Sequence, residues 1–61
     1  MATLSRKDVA RLLDITVDQV RKNEEALGIR RWRLRFNARF IRYRKDQTIR
    51  ELEQRKLIGI D

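Results

Sequence analysis

Arginine residues alternate with other side chains between Ile29 and Lys45, and this pattern is the most chemically specific feature of the sequence. Eight basic residues and no acidic residue lie between Arg30 and Lys45. The rest of the chain holds eight basic and nine acidic residues, so the net charge of +7 is concentrated in this segment. Guanidinium groups pair bidentately with phosphate oxygens and with guanine edges. The segment therefore favours a nucleic acid as partner.

The alternation has a period of two, which is typical of β-strands. Asn37-Ala38 is the only turn-like dipeptide in the stretch, so we expect the chain to reverse there. A two-residue turn and a four-residue loop over residues 36–39 give the same cross-strand pairs. The sequence therefore predicts a basic two-stranded hairpin.

Directly opposed residues of such a hairpin share a face, so its register sorts the side chains into two groups. We expect Trp32 to lie opposite Tyr43, and Leu34 opposite Ile41, on an apolar face. The other face is expected to carry Phe40 and the arginines Arg31, Arg33, Arg35, Arg42 and Arg44. Like charges that oppose each other destabilise a sheet, which favours an anionic partner for this face. A solvated strand face beside a small core is the alternative.

Size and composition exclude several classes of function. The 61 residues predict a single domain over residues 1–61, with too little chain for both a core and a substrate pocket. Cysteine and histidine are absent, which excludes disulfides, the usual transition-metal ligand sets and the commonest general base. We expect no enzymatic activity, no cofactor and no small-molecule substrate. The absence of a long apolar run argues against a membrane partner and predicts a soluble, intracellular protein. With a nucleic acid as partner, we expect it in the bacterial cytoplasm, associated with the nucleoid.

Two helices are predicted before the hairpin. Residues 1–3 are expected to fray, and Ser5 is a candidate N-cap for a helix from Arg6 to Leu13, with Asp8 completing a capping box. Thr16 is the next N-cap candidate and starts a helix predicted over residues 17–27.

The ends of the second and third predicted helices have their own signals. Gly28 is expected to close the second helix, whose apolar stripe is weakened by Glu24. Asp46 follows the hairpin as an N-cap candidate for a third helix, predicted over residues 47–57. Ile58 and Ile60 are expected to supply the last core contacts.

Two helices joined by about three residues match helix-turn-helix spacing. The segments VARLLDITVDQVRK and RFIRYRKDQTIREL resemble the small MerR-like winged helix-turn-helix proteins that include phage and plasmid excisionases. The resemblance implies an α+β fold with two N-terminal helices, a two-stranded wing and a C-terminal helix. Two departures stand out: Asp14 replaces the usual glycine of the turn, and Lys22 and Asn23 replace a large apolar residue late in the second helix.

The resemblance implies sequence-specific binding of double-stranded DNA, with the second helix in the major groove and the wing on the backbone or minor groove. Gln19 has the geometry to pair with adenine and Arg21 with guanine, whereas Lys22 suits a phosphate and Asp18 is repelled by DNA unless it caps the helix or accepts from cytosine. The predicted DNA-binding residues are Thr16, Gln19, Arg21, Lys22, Arg31, Arg33, Arg35, Asn37, Arg39, Arg42 and Arg44.

Several roles remain open at this point. An excisionase-like architectural factor would act in site-specific recombination with an integrase or recombinase, or with further copies of itself on DNA. A MerR-like transcriptional regulator and a terminase small-subunit domain are the alternatives within DNA binding. Two other classes are an RNA or single-strand binder, with Trp32 and Tyr43 stacking on unpaired bases, and a module that binds an acidic protein.

Overall fold

A computed structural model describes residues 2–35 and 40–59 and gives them an α+β fold. Four α-helices, a short 3₁₀ helix and a three-stranded antiparallel sheet make up the described residues. The elements in chain order are β1 Thr3–Ser5, α1 Arg6–Leu13, α2 Val17–Lys22, α3 Glu24–Leu27, the 3₁₀ helix Arg30–Trp32, β2 Arg33–Arg35, β3 Ile41–Arg44 and α4 Lys45–Gln54. The predicted turn at Asn37-Ala38 lies outside the described residues.

The start and end of α1 are as predicted. The Ser5 hydroxyl accepts from the backbone N–H of Asp8 at 3.1 Å, and the Asp8 carboxylate accepts from the backbone N–H of Ser5 at 3.0 Å. The bond from the Ser5 backbone holds the pKa of the Asp8 carboxyl below its usual value. Asp14 ends the helix with φ of 57°, so it adopts the left-handed conformation that the usual glycine would take. The capping box and the turn at Asp14 are therefore confirmed.

The prediction of one continuous helix over residues 17–27 is wrong. The chain breaks at Asn23, whose side-chain amide donates to the carbonyl of Gln19 at 2.7 Å. Asparagine competes in this way for backbone partners and is a poor helix former. The final turn, α3, still ends at Gly28 with φ of 77°, as predicted. The break directs Glu24 into the protein, where only 6% of the residue is exposed.

The sheet has a third strand that the sequence did not predict. Thr3, which was expected to fray, forms β1 together with Leu4 and Ser5, and the strand order is β1-β3-β2. Leu4 lies opposite Tyr43 on the central strand, and both side chains are buried. Burial of Leu4 against the core accounts for the order of this segment.

The predicted register of the hairpin is wrong by one residue. Tyr43 lies opposite Arg33 rather than Trp32, and Ile41 lies opposite Arg35. Trp32 belongs to the 3₁₀ helix, where its backbone N–H donates to the carbonyl of Ile29 at 3.0 Å. Because side chains alternate along a strand, a slip of one residue moves every side chain of that strand to the other face.

This register defines an inner and an outer face of the sheet. Arg33 and Arg35 share the inner face with the core residues, which corrects the prediction that they face the same way as Arg42 and Arg44. Leu34 lies opposite Arg42 and so faces away from the core. We call the set Thr3, Ser5, Leu34, Arg42 and Arg44 the outer sheet face.

Helix α4 starts two residues earlier than predicted, at Lys45, and ends at Gln54. The predicted N-cap Asp46 lies within its first turn. Strand β3 runs directly into the helix because the N–H of Lys45 donates to the carbonyl of Ala2 at 3.2 Å, so no side-chain cap is needed there. Ile58 packs against the core as predicted, whereas Ile60 lies outside the described residues. The buried core consists of Leu4, Val9, Ala10, Val20, Ile29, Tyr43 and Leu52.

Candidate nucleic-acid interface

Arg33 is part of a buried polar cluster under the sheet. Its guanidinium donates to Glu24 Oε1 at 3.0 Å. The other carboxylate oxygen, Oε2, accepts from the Tyr43 hydroxyl and from Arg6 Nη2, the latter at 3.3 Å. Arg6 Nε also donates to the Tyr43 hydroxyl at 3.2 Å. These four residues, which we call the Glu24 cluster, join α1, α3, β2 and β3.

The chemistry of the Glu24 cluster indicates a structural role. Buried carboxylates are tolerated when charged or hydroxyl donors satisfy them, and Glu24 has three such partners. Burial and the hydrogen bond to Glu24 raise the pKa of Tyr43 to about 12. A buried Tyr43 also cannot stack on an unpaired base, which removes one of the two rings expected of a single-strand binder.

Sequence reasoning missed this cluster although a signal was present. Glu24 occupies an apolar stripe of the second helix, where we expected it only to weaken packing. A carboxylate at such a position in a chain with 16 basic residues is best explained by a buried basic partner. Which arginine becomes the partner of Glu24 depends on the strand register.

The arginines of the outer sheet face differ from Arg33 in the partners that they contact. Arg42 Nε donates to the hydroxyl of Thr3 at 3.0 Å. Within residues 2–35 and 40–59, no carboxylate forms an ion pair with Arg42, Arg44 or Arg35. Arg35 is exposed at the end of β2, although it lies on the inner side of the strand. The charge of Arg42 contributes to the lowered pKa of the Asp8 carboxyl, but no carboxylate of the described chain contacts these three arginines directly.

A shallow groove of about 280 Å³ connects the sheet to the start of α2. Two exposed apolar side chains contribute to it, Phe40 with 60% and Val17 with 42% of the residue exposed. We call this feature the basic groove, and it is lined by Ser5, Arg6, Lys7, Val17, Phe40, Ile41 and Arg42. It places cations of α1 and β3 beside the first residue of α2.

Thr16 and Gln19 form the capping box that begins α2. The Thr16 hydroxyl accepts from the backbone N–H of Gln19 at 3.1 Å, and the Gln19 side-chain oxygen accepts from the N–H of Thr16 at 3.1 Å. Both residues are exposed. The amide oxygen of Gln19, which a bidentate contact to adenine requires, is thus engaged by the backbone.

Arg21 and Lys22 form ion pairs with one acid of the same helix. Arg21 Nη2 lies 2.6 Å from Asp18 Oδ1, and Lys22 Nζ lies 3.0 Å from Asp18 Oδ2. The hydrogen bonds from Arg21 and Lys22 lower the pKa of the Asp18 carboxyl. All three side chains are more than half exposed, so a ligand can reach them without unfolding the helix.

Arg31 lies on the 3₁₀ helix rather than on the hairpin face where we predicted it. Its guanidinium carbon lies 4.8 Å from the centre of the Trp32 ring, and its Nη2 lies 2.7 Å from Glu51 Oε1. Arg55 binds the other oxygen of Glu51 at 3.0 Å. These bonds from Arg31 and Arg55 lower the pKa of the Glu51 carboxyl. One face of the Trp32 ring is therefore covered by a cation.

The basic residues between Arg30 and Lys45 thus fall into two groups, those that form an ion pair and those that do not. Arg30, Arg31 and Arg33 pair with Glu25, Glu51 and Glu24, at 3.7, 2.7 and 3.0 Å. The other described basic residues of this segment, Arg35, Arg42, Arg44 and Lys45, form no ion pair with the described acids. Arg39 and Asn37, which we also predicted to bind DNA, lie outside the described residues.

Comparisons with known protein families, with curated proteins and with solved structures found no match to this chain. Between residues 2 and 35 and between 40 and 59, every helix is too short or too polar to cross a bilayer. The following functional assignment is therefore based on the residues and their geometry.

Proposed function

We propose that this chain binds double-stranded DNA, with α2 facing the major groove and the β2–β3 hairpin serving as a wing. The observation that carries the proposal is the uneven distribution of ion pairs. Acids form ion pairs with the basic residues at the start of the segment, while the arginines of the outer sheet face form no ion pair with the described acids. Unneutralised guanidinium groups on a rigid sheet are suited to phosphate contacts that position a protein on a duplex.

The basic groove connects the two parts of the proposed interface. Arg42 belongs to both the groove and the outer sheet face, and Val17 begins α2 at the other end of the groove. Phosphates held by Arg42 and Arg44 would therefore lie near the helix that carries Arg21 and Lys22. Arg21 is the residue proposed to read a guanine edge, and Lys22 the residue proposed to hold a phosphate.

In this proposal the chain is a small winged helix-turn-helix protein, and the resemblance to excisionases favours an architectural role in recombination. Its partners would then be an integrase or recombinase and further copies of the chain on DNA. A MerR-like transcriptional regulator or a terminase small-subunit domain would use the same interface in a different assembly.

Selection from random duplexes followed by footprinting tests the proposal. We expect enrichment of a defined duplex sequence, and single-stranded DNA or RNA should compete poorly at matched salt concentration. Spaced direct repeats in the footprint would indicate the architectural role, and a single palindrome would indicate a regulator. Failure to enrich any duplex, or equal competition by single strands, would overturn the proposal.

Substitution of Arg21 tests the role of α2 separately. Arg21→Ala should change base preference at one position by about 1–3 kcal/mol, because a bidentate arginine–guanine pair is lost. Arg50→Ala, an exposed arginine of α4, is the control with the same change in charge. An Arg21→Ala preference profile identical to that of the unaltered chain would remove α2 from base reading.

A further inference from the structure

Asp18 forms ion pairs with both of the cations of α2 that the proposed function places at the DNA. Its two carboxylate oxygens are divided between them, Oδ1 to Arg21 at 2.6 Å and Oδ2 to Lys22 at 3.0 Å. The side chains of Asp18 and Arg21 are each 56% exposed and that of Lys22 is 65% exposed. The arrangement is a solvent-facing triad with one negative and two positive charges.

This triad is poorly explained by stability alone. Exposed ion pairs contribute little to folding, because water screens them and two long side chains must be ordered. An acid in the first turn also interacts favourably with the helix dipole, but that effect does not need either cation. The pairing has a larger consequence for a ligand, since a phosphate must displace the carboxylate to reach Arg21 or Lys22.

We propose that Asp18 is a specificity-determining residue that suppresses binding to random DNA sequence. The inference rests on the proposed DNA-binding function. In the free chain the carboxylate holds Arg21 Nη2 and Lys22 Nζ, so a phosphate that binds either cation replaces one ion pair by another with little net gain. The ion pair uses only Nη2 of Arg21, which leaves other guanidinium donors for the edge of a matched guanine. The selected site therefore loses less affinity than random sequence.

Charge separates the two kinds of ligand for these cations. A phosphate bound to Arg21 or Lys22 lies beside the carboxylate of Asp18 and is repelled by it, whereas the edge of guanine is uncharged. Asp18 therefore opposes phosphate contacts more strongly than it opposes a contact between Arg21 and guanine. The ratio of site affinity to random-sequence affinity increases as a result.

Asp18→Asn tests the inference, because it keeps the size and polarity of the side chain and removes its charge. We expect affinity for a random-sequence duplex to rise about three- to tenfold, the size expected when one or two exposed ion pairs are released. The slope of log affinity against log salt should steepen by about 0.9 for each additional phosphate contacted. Affinity for the selected site should rise less, so the ratio between the two should fall.

Glu25→Gln is the matched control. Glu25 lies in the first turn of α3, is highly exposed, and pairs with a single cation, Arg30, so its substitution changes net charge by the same amount and also releases an arginine. We expect a smaller rise in random-sequence affinity for Glu25→Gln, with the ratio of affinities unchanged. Circular dichroism should show that both variants keep the helical content of the unaltered chain.

A second set of variants tests whether the effect of Asp18 depends on Arg21 and Lys22. In a chain with Arg21→Ala and Lys22→Ala, adding Asp18→Asn should produce little of the gain in random-sequence affinity. Equal effects of Asp18→Asn and Glu25→Gln would overturn the inference, as would a loss of site affinity without a gain on random sequence. Those results are distinct from failure of the proposed function, in which the unaltered chain itself would not bind duplex.

Discussion

Arg33 and Arg42 lie on adjacent strands of one sheet, yet the structure gives them different environments. Arg33 is on the inner face and donates to the buried carboxylate of Glu24 at 3.0 Å. Arg42 is on the outer sheet face and donates to the hydroxyl of Thr3 at 3.0 Å, with no ion pair to the described acids. One arginine satisfies a buried charge, and the other forms no ion pair with a described acid.

This difference shows how strand register decides the role of an arginine. Removing a partner of Glu24 leaves a buried charge with fewer donors, which is costly. Removing Arg42 leaves only the hydroxyl of Thr3 without its partner, and water can take the place of the lost donor. The Glu24 cluster should therefore control stability, and the outer sheet face should control binding to phosphates.

The largest effect is expected for Glu24→Gln. The substitution keeps the shape of the side chain but leaves two guanidinium groups without their carboxylate, and should lower the free energy of unfolding by about 3–5 kcal/mol. Urea denaturation monitored by circular dichroism measures this. Glu25→Gln is the control, because the adjacent residue is 87% exposed at its side chain and should change stability by less than about 0.5 kcal/mol. Equal stability of the two variants would contradict a structural role for the cluster.

Titration of Tyr43, the only tyrosine, examines the same cluster without mutation. Burial and Glu24 raise the pKa of Tyr43 to about 12, against an ordinary value of 10.0. The folded state therefore favours the protonated phenol. Its stabilising contribution should be complete below pH 10 and should be lost as the pH rises from about 10 to about 12.

Ultraviolet absorbance of the phenolate follows this titration directly. The unfolded chain in concentrated urea provides the reference, and its phenol should titrate near the ordinary value. A native phenol that also titrates near pH 10 would show that Tyr43 is not held by Glu24.

A smaller effect is expected when the two arginines are compared directly. Arg33→Ala should lower the free energy of unfolding by about 1–3 kcal/mol, because Glu24 loses a charged donor. Arg42→Ala should change it by less than about 0.5 kcal/mol and should weaken duplex binding instead. The register predicted from the sequence placed both arginines on one face, so equal stabilities of the two variants would support that register.

Local features of the fold were predictable because their signals lie within a few residues of each other. Ser5 and Asp8 define the start of α1, Thr16 defines the start of α2, and Gly28 ends α3 with a positive φ. Each of these depends on backbone groups three or four residues away. No partner from elsewhere in the chain is needed to form them.

The hairpin register was not predictable from alternation alone, because an alternating strand fits two registers that differ by one residue. The choice depends on Glu24, which is buried and lies nine residues before its partner Arg33. Strand β1 was missed because three residues are too few to show a period. The sequence therefore indicated the residue types of the candidate site, but not the face of the sheet on which each residue lies.

The most direct test of the account is the salt dependence of duplex binding for a chain with both Arg42→Ala and Arg44→Ala. If these arginines each neutralise a phosphate, the slope of log affinity against log salt should become shallower by about 1.8, at about 0.9 for each contact. The free energy of unfolding should change by less than about 1 kcal/mol, because neither arginine is the partner of a buried charge. A slope equal to that of the unaltered chain would contradict the assignment of the outer sheet face to DNA.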